Sequence, residues 1–207
     1  EKPFEEPPIL TQRRAEGFAA FFDAALPEQL ASEQVAGAMV AVVHKDKMVF
    51  AKGYGYADLE AGLPVTADRT LFFIGSDGKL FTWTAVMQLV EQGKLDLHTD
   101  VNAYLDFAIP AASDQPITLH HLMTHTAGFE DEFNSLMASQ ERLLPLREHL
   151  VRYMPARVYP PGKVMAYSNY GTALAGYIVE RVAGQPFEVY LTQQLLQPLG
   201  MTHSFAG

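Results

Sequence analysis

The sequence predicts an α+β fold: one antiparallel hairpin near the N-terminus, then a mainly helical remainder. Three observations carry this. Residues 38–44 and 48–54 are short β-branched and aromatic runs joined by the polar trio Lys45-Asp46-Lys47, a hairpin signal. Beyond residue 70 no third strand of comparable clarity occurs, and the apolar residues recur at helical spacing between glycine and proline breaks. The 207 residues are 48% hydrophobic and 19% charged, the balance of a folded globular chain and not of a disordered or fibrous one.

Taken in order, residues 11–25 place Phe18, Phe21, Phe22 and Ala25 on one helical face, and Pro27 is expected to end that helix. The hairpin follows. Residues 62–68, with Gly62, Pro64 and Asp68, read as loop. A helix opening at Ser76 carries Leu80, Trp83, Val86, Met87, Leu89 and Val90, apolar around most of its circumference, so it is expected to be buried and to end at Gly93. Further breaks fall near Pro110, Gly128, Pro155, the triplet Pro160-Pro161-Gly162, Gly184 and Pro198, and a small-residue helix is expected over 171–182. The division this suggests is 1–60, a helix and hairpin, and 61–207, mainly helical. A lone hairpin is marginally stable and leaves two rows of unpaired backbone groups, so strands that complete the sheet are expected from elsewhere.

Composition narrows the function. Fifteen basic against twenty-four acidic residues give a net charge of −9 with no basic patch, which argues against nucleic acid or an anionic surface as partner. Without cysteine there is no thiolate zinc site and no cysteine nucleophile, so a nucleophile must be an oxygen or an amine. No run approaches the roughly 20 apolar residues that span a bilayer, and no signal-peptide core is present.

Two motifs carry chemistry. Ser76 and Lys79 are three apart, which puts a hydroxyl and an amine on one helix face, where a neutral amine can take the hydroxyl proton. Of seven serines only Ser76 has lysine at that spacing. Tyr167 and Asn169 are two apart in a stretch that reads as extended, so both side chains face one way and Ser168 faces the other; of nine tyrosines only Tyr167 has asparagine there. The same residues also suit plain roles: Ser76 as an N-cap, Lys79 as a solvated side chain, Tyr167 as a half-buried tyrosine and Asn169 as a turn residue. Position 74 is isoleucine, so Ser76 does not sit in the Gly-x-Ser-x-Gly elbow. His120, His121 and His125 lack a carboxylate at ligand spacing, and no metal site or cofactor is assigned.

With these motifs, with Gly53-Tyr54-Gly55-Tyr56-Ala57, with Leu122-Met123-Thr124-His125-Thr126-Ala127-Gly128-Phe129 and with Pro161-Gly162, the chain resembles the serine β-lactamase and penicillin-binding-protein superfamily. It is most similar to the class C-like branch of β-lactamases, family VIII esterases and D-amino-acid peptidases. The resemblance implies an antiparallel sheet flanked by helices plus a helical subdomain. It implies that Ser76 is the acylated nucleophile, Lys79 its proton acceptor, Tyr167 a second acid/base and Asn169 a substrate-binding group, and that the stretch around His125 is a structural turn. It also implies a small-molecule or peptide substrate with an amide or ester carbonyl, and a periplasmic or extracellular location.

Two departures stand out. Asp77 and Gly78 replace the small aliphatic residue and the serine or threonine usual in such a motif, a change expected to affect the basicity of the site and to cost about 1 kcal/mol if Gly78 is inside the helix. The superfamily's third motif, Lys-Thr-Gly or His-x-Gly, is absent: no lysine or histidine has glycine two residues on. The chain therefore reads as the N-terminal part of such a protein, nearly inactive alone because one oxyanion donor is worth about 100-fold to 1,000-fold in rate, and completed by a C-terminal segment or complementary chain. The alternatives are a catalytically silent homologue that binds through the same cleft, and an assembly module that recruits a strand at the hairpin edge.

Overall fold

The computed structural model describes residues 8–130 and 144–205; Gly207, beyond which a continuation is expected, lies outside them. The chain divides into two compact units after Phe73, not at residue 60. The shift has a local cause. Leu63 and Pro64, read from sequence as loop, form a third strand that pairs with Asp58 and Tyr56, and so tie residues beyond 60 to the hairpin.

The first unit holds α1 (Pro8–Ser32), β1 (Gly37–His44), β2 (Lys47–Asp58) and β3 (Leu63–Pro64) in an antiparallel sheet of order β1-β2-β3. The hairpin forms where the two β-branched and aromatic runs predict it, with His44 opposite Lys47 and a bulge at Val42/Val43. Proline is acceptable in β3 because an edge strand need not donate outward. Contrary to the sequence reading, α1 runs through Pro27. The proline removes one helix bond, to the Asp23 carbonyl, and the strong helix formers Glu28, Gln29, Leu30 and Ala31 carry the helix on to Ser32. Phe22 stacks on Phe50 of β2 at 5.6 Å between ring centroids, and Phe18 meets the same ring at 6.4 Å. Beside them Asp23 accepts from Lys52 Nζ at 2.7 Å and from the Tyr54 hydroxyl at 2.8 Å. Gly53 is held small by close approach: a Cβ there would lie 2.2 Å from the Val65 carbonyl oxygen.

The second unit is built from α2 (Lys79–Glu91), α3 (Leu119–Met123), α4 (Leu146–Arg152), α5 (Asn169–Ala183) and α6 (Phe187–Leu191). Its core gathers Val86 and Leu89 of α2, Leu119 and Leu122 of α3, Leu150 of α4, and Leu174 and Ile178 of α5, all fully buried. α2 packs on α5 and α6. Leu80 and Met87 are 67% and 41% exposed, so the helix expected to be buried all round is buried on one face within this unit. α5 begins two residues before the expected Gly171 because the Ser168 side chain accepts the Gly171 N–H as N-cap, and it ends at Gly184, whose φ of 69° supplies the left-handed cap. Among the described residues no helix is long and apolar enough to cross a membrane.

Candidate active site

Both chemical motifs lie in the second unit. Ser76 sits in a single 3-10 turn (Gly75–Gly78) that leads directly into α2, and Lys79 is the first residue of that helix. The serine expected as an N-cap makes no capping bond; its hydroxyl is turned instead toward the lysine and tyrosine side chains. Gly78, at φ −57° and ψ −24°, closes the 3-10 turn in helical conformation and runs straight into α2, so the cost of glycine in a helical run stands.

Across from this helix tip, Tyr167 ends an irregular stretch, Ser168 caps α5 and Asn169 is its first residue. Ser168 is buried, with its side chain turned inward as expected. Tyr167 and Asn169 do converge, although Asn169 is helical and not extended: the chain bends into α5 between them. Lys79 Nζ donates to Ser76 Oγ at 2.9 Å and to Asn169 Oδ1 at 2.7 Å. The Tyr167 hydroxyl donates to Ser76 Oγ at 2.8 Å. Lys79 Nζ also lies over the Tyr167 ring, 4.9 Å from its centroid. Four side chains named from sequence are thus in one hydrogen-bonded cluster, with the serine oxygen reached by an amine and a phenol from different sides. Asp77 is not among the described partners of Lys79.

The geometry also depends on His125, which the sequence reading weighed as a metal ligand and, through the resemblance, placed in a structural turn. Past α3, residues 125–128 fasten the stretch that carries Tyr167 through their carbonyls: Gly128 accepts from Val158 at 2.8 Å, Thr126 from Gly162 at 2.8 Å and His125 from Ala166 at 2.8 Å. His125 Nδ1 also accepts the Ser168 N–H at 3.2 Å, and its ring lies 4.4 Å from the Tyr167 ring. Gly128 makes the approach possible, with a φ of 81° and no room for a Cβ, which would fall 2.0 Å from the Tyr159 carbonyl oxygen. His121 serves elsewhere, in the capping box of α3 with Thr118. Among the described residues no group of three metal-ligating side chains converges.

This arrangement gives a serine oxygen two adjacent proton-transfer partners and gives the lysine a fixed amide partner, the layout for moving a hydroxyl proton during nucleophilic attack. The chain is similar to several known proteins. The chain is 32% identical to the esterase EstB of Burkholderia gladioli over 90% of its own length and 51% of the esterase. It matches the octameric penicillin-binding protein homologue from Pyrococcus abyssi with a TM-score of 0.78 and 32% identity, covering 89% of this chain and 43% of that one. A class C beta-lactamase matches with a TM-score of 0.75 and 26% identity over 93% of this chain and 51% of that one. The chain spans about half the length, or less, of the curated relatives it matches. The family model described as Beta-lactamase matches residues 22–207. The β-lactamase-like fold, the penicillin-binding-protein and esterase relatives and this match together establish that the chain belongs to the beta-lactamase family.

Proposed function

We propose that this chain carries the acyl-transfer centre of a serine hydrolase acting on an amide or ester carbonyl. Ser76 Oγ attacks the carbonyl carbon and its proton passes to Lys79 Nζ. The tetrahedral anion collapses, the C–N or C–O bond breaks, and the leaving group takes a proton delivered through Tyr167, leaving an ester on Ser76. Water, activated by the same groups, then attacks that ester and frees the acid. Asn169 holds Lys79 in place and presents an amide to substrate. The observation that carries this reading is the convergence on Ser76 Oγ of the Lys79 amine and the Tyr167 phenol.

The substrate classes named for the relatives, β-lactam, ester and D-amino-acid derivative, share this acylation chemistry. The same kinship supports, as part of the proposal, a location outside the cytoplasm. A complementary strand, from a further segment or another chain, belongs to the proposal, since β1 pairs only with β2 among the described residues and the second oxyanion donor has no motif in this sequence. That missing motif also favours the second reading, a silent homologue that binds in the same cleft.

Labelling of the intact protein with a fluorescent penicillin and with a fluorophosphonate tests the proposal. An adduct on Ser76 from at least one reagent, absent in Ser76→Ala, is expected. No adduct from either reagent overturns the hydrolase reading, whereas turnover of p-nitrophenyl butyrate abolished by Ser76→Ala excludes the silent homologue.

A further inference from the structure

His125 stands in the left-handed backbone region, φ 53°, just past α3. A non-glycine residue adopts that conformation at a cost, and here the result is that two groups of one residue reach the stretch bearing the phenol. The His125 carbonyl accepts the Ala166 N–H and Nδ1 accepts the Ser168 N–H, so the residues on either side of Tyr167 are tied to the same histidine. Its ring lies along the Tyr167 ring, 4.4 Å away with the planes 31° apart. It also meets Trp83 of α2 edge-on at 6.4 Å and 80°, and Trp83 is one helical turn beyond Lys79. His125 thereby bridges the helix that carries the amine and the segment that carries the phenol.

We infer that His125 is a positioning residue for Tyr167, with Nδ1 as the hydrogen-bond acceptor that holds the phenol in register with Ser76 Oγ; the inference rests on the acyl-enzyme reading above. A backbone N–H only donates, so Nδ1 is bare and the neutral ring carries its proton on Nε2. Ser168 is 4% exposed. Without the imidazole nitrogen its N–H is left unpaired in a buried place, and the segment relieves that by shifting, taking the adjacent Tyr167 with it. The Tyr167-to-Ser76 contact is 2.8 Å, with little slack for such a shift.

Three substitutions separate the acceptor from the ring and from the backbone conformation. His125→Asn keeps an acceptor near the Nδ1 position and suits the left-handed region. His125→Gly keeps the conformation but removes both acceptor and ring, and His125→Phe keeps a ring without an acceptor. In the intact protein, the rate of fluorophosphonate labelling at Ser76 is measured against reagent concentration, with melting temperature alongside. The Asn variant is expected within about threefold of the parent, and the Gly and Phe variants about 100-fold slower at saturating reagent, with the half-saturating concentration unchanged. Where Phe lowers the melting temperature, Gly carries the comparison. Gly labelling at the parent's rate, or Asn as slow as Gly, overturns the role given to Nδ1 and leaves the hydrolase reading standing. A parent that takes no label overturns both.

Discussion

Gly128 concentrates two demands in one residue. Its φ of 81° lies in the left-handed region, and a Cβ there would meet a backbone oxygen, which cannot swing away as the end of a side chain would. Gly62, at φ 63°, carries the first demand alone, with open space around it. Gly62→Ala is therefore expected to lose about 1 kcal/mol and Gly128→Ala about 3 kcal/mol or more, because the latter adds a main-chain clash to the conformational cost. Urea unfolding of the two variants checks the ordering; equal losses would show that the Tyr159 carbonyl yields freely. The Gly128 variant should also label more slowly at Ser76, because Val158 bonds to the carbonyl of Gly128 on the way to Tyr167.

Among the elements, the hairpin connection is the one whose chemistry is least suited to its shape. Lys45 and Asp46, between the paired residues His44 and Lys47, both have positive φ, 48° and 60°. A two-residue turn of this kind favours Asn-Gly. Asp46→Gly is expected to raise stability by about 1 kcal/mol by removing the left-handed penalty. A thermal melt gives the answer, and a lower melting temperature would contradict it. The strands themselves were legible from β-branched and aromatic runs around a polar trio, and the Ser76–Lys79 and Tyr167–Asn169 pairs from spacings of three and two, because such patterns are local. Pro27 misled because a breaker inside a run of good helix formers weakens a helix without ending it. β3 escaped notice because two residues hold no period. That the two motifs meet, 90 residues apart at Lys79 and Asn169, was legible only through the family resemblance. His125 was missed because its bond to Ser168 spans 43 residues and has no local trace.

For the whole molecule, the scattered titratable groups combine into a stability profile. The Lys52 ammonium, then the Tyr54 hydroxyl, hold Asp23 below the ordinary carboxylate range, and the His98 N–H does the same for Asp96. Burial pushes Asp106 up, but Arg147 and Tyr177 outweigh it and the net shift is downward. Unfolding raises these groups back toward 3.8, so their contribution is complete above that pH and is lost as pH falls below it. Burial, then the neighbouring His120 and His98, lower the pKa of His121 from 6.5; the unfolded chain takes that proton first, and stability declines as pH descends through this value. Burial, then Asp23, push Tyr54 up to about 12 from 10.0, so its stabilising effect is full below pH 10 and is lost over that interval. Melting temperature against pH is thus expected to be highest between about 6.5 and 10, with a shoulder on the acid side that His121→Gln flattens and an alkaline decline that Tyr54→Phe reduces. A shoulder unchanged in His121→Gln would assign it to other groups.

The three carbonyl-to-amide links from residues 125–128 to Val158, Gly162 and Ala166 ask nothing of the side chains they hold. Val164 and Met165, both outward-facing on that span, are free to drift over generations without moving the phenol that follows them. With main-chain anchorage at these three points and the His125 imidazole at a fourth, what must be inherited along this stretch is separate from what is open to variation.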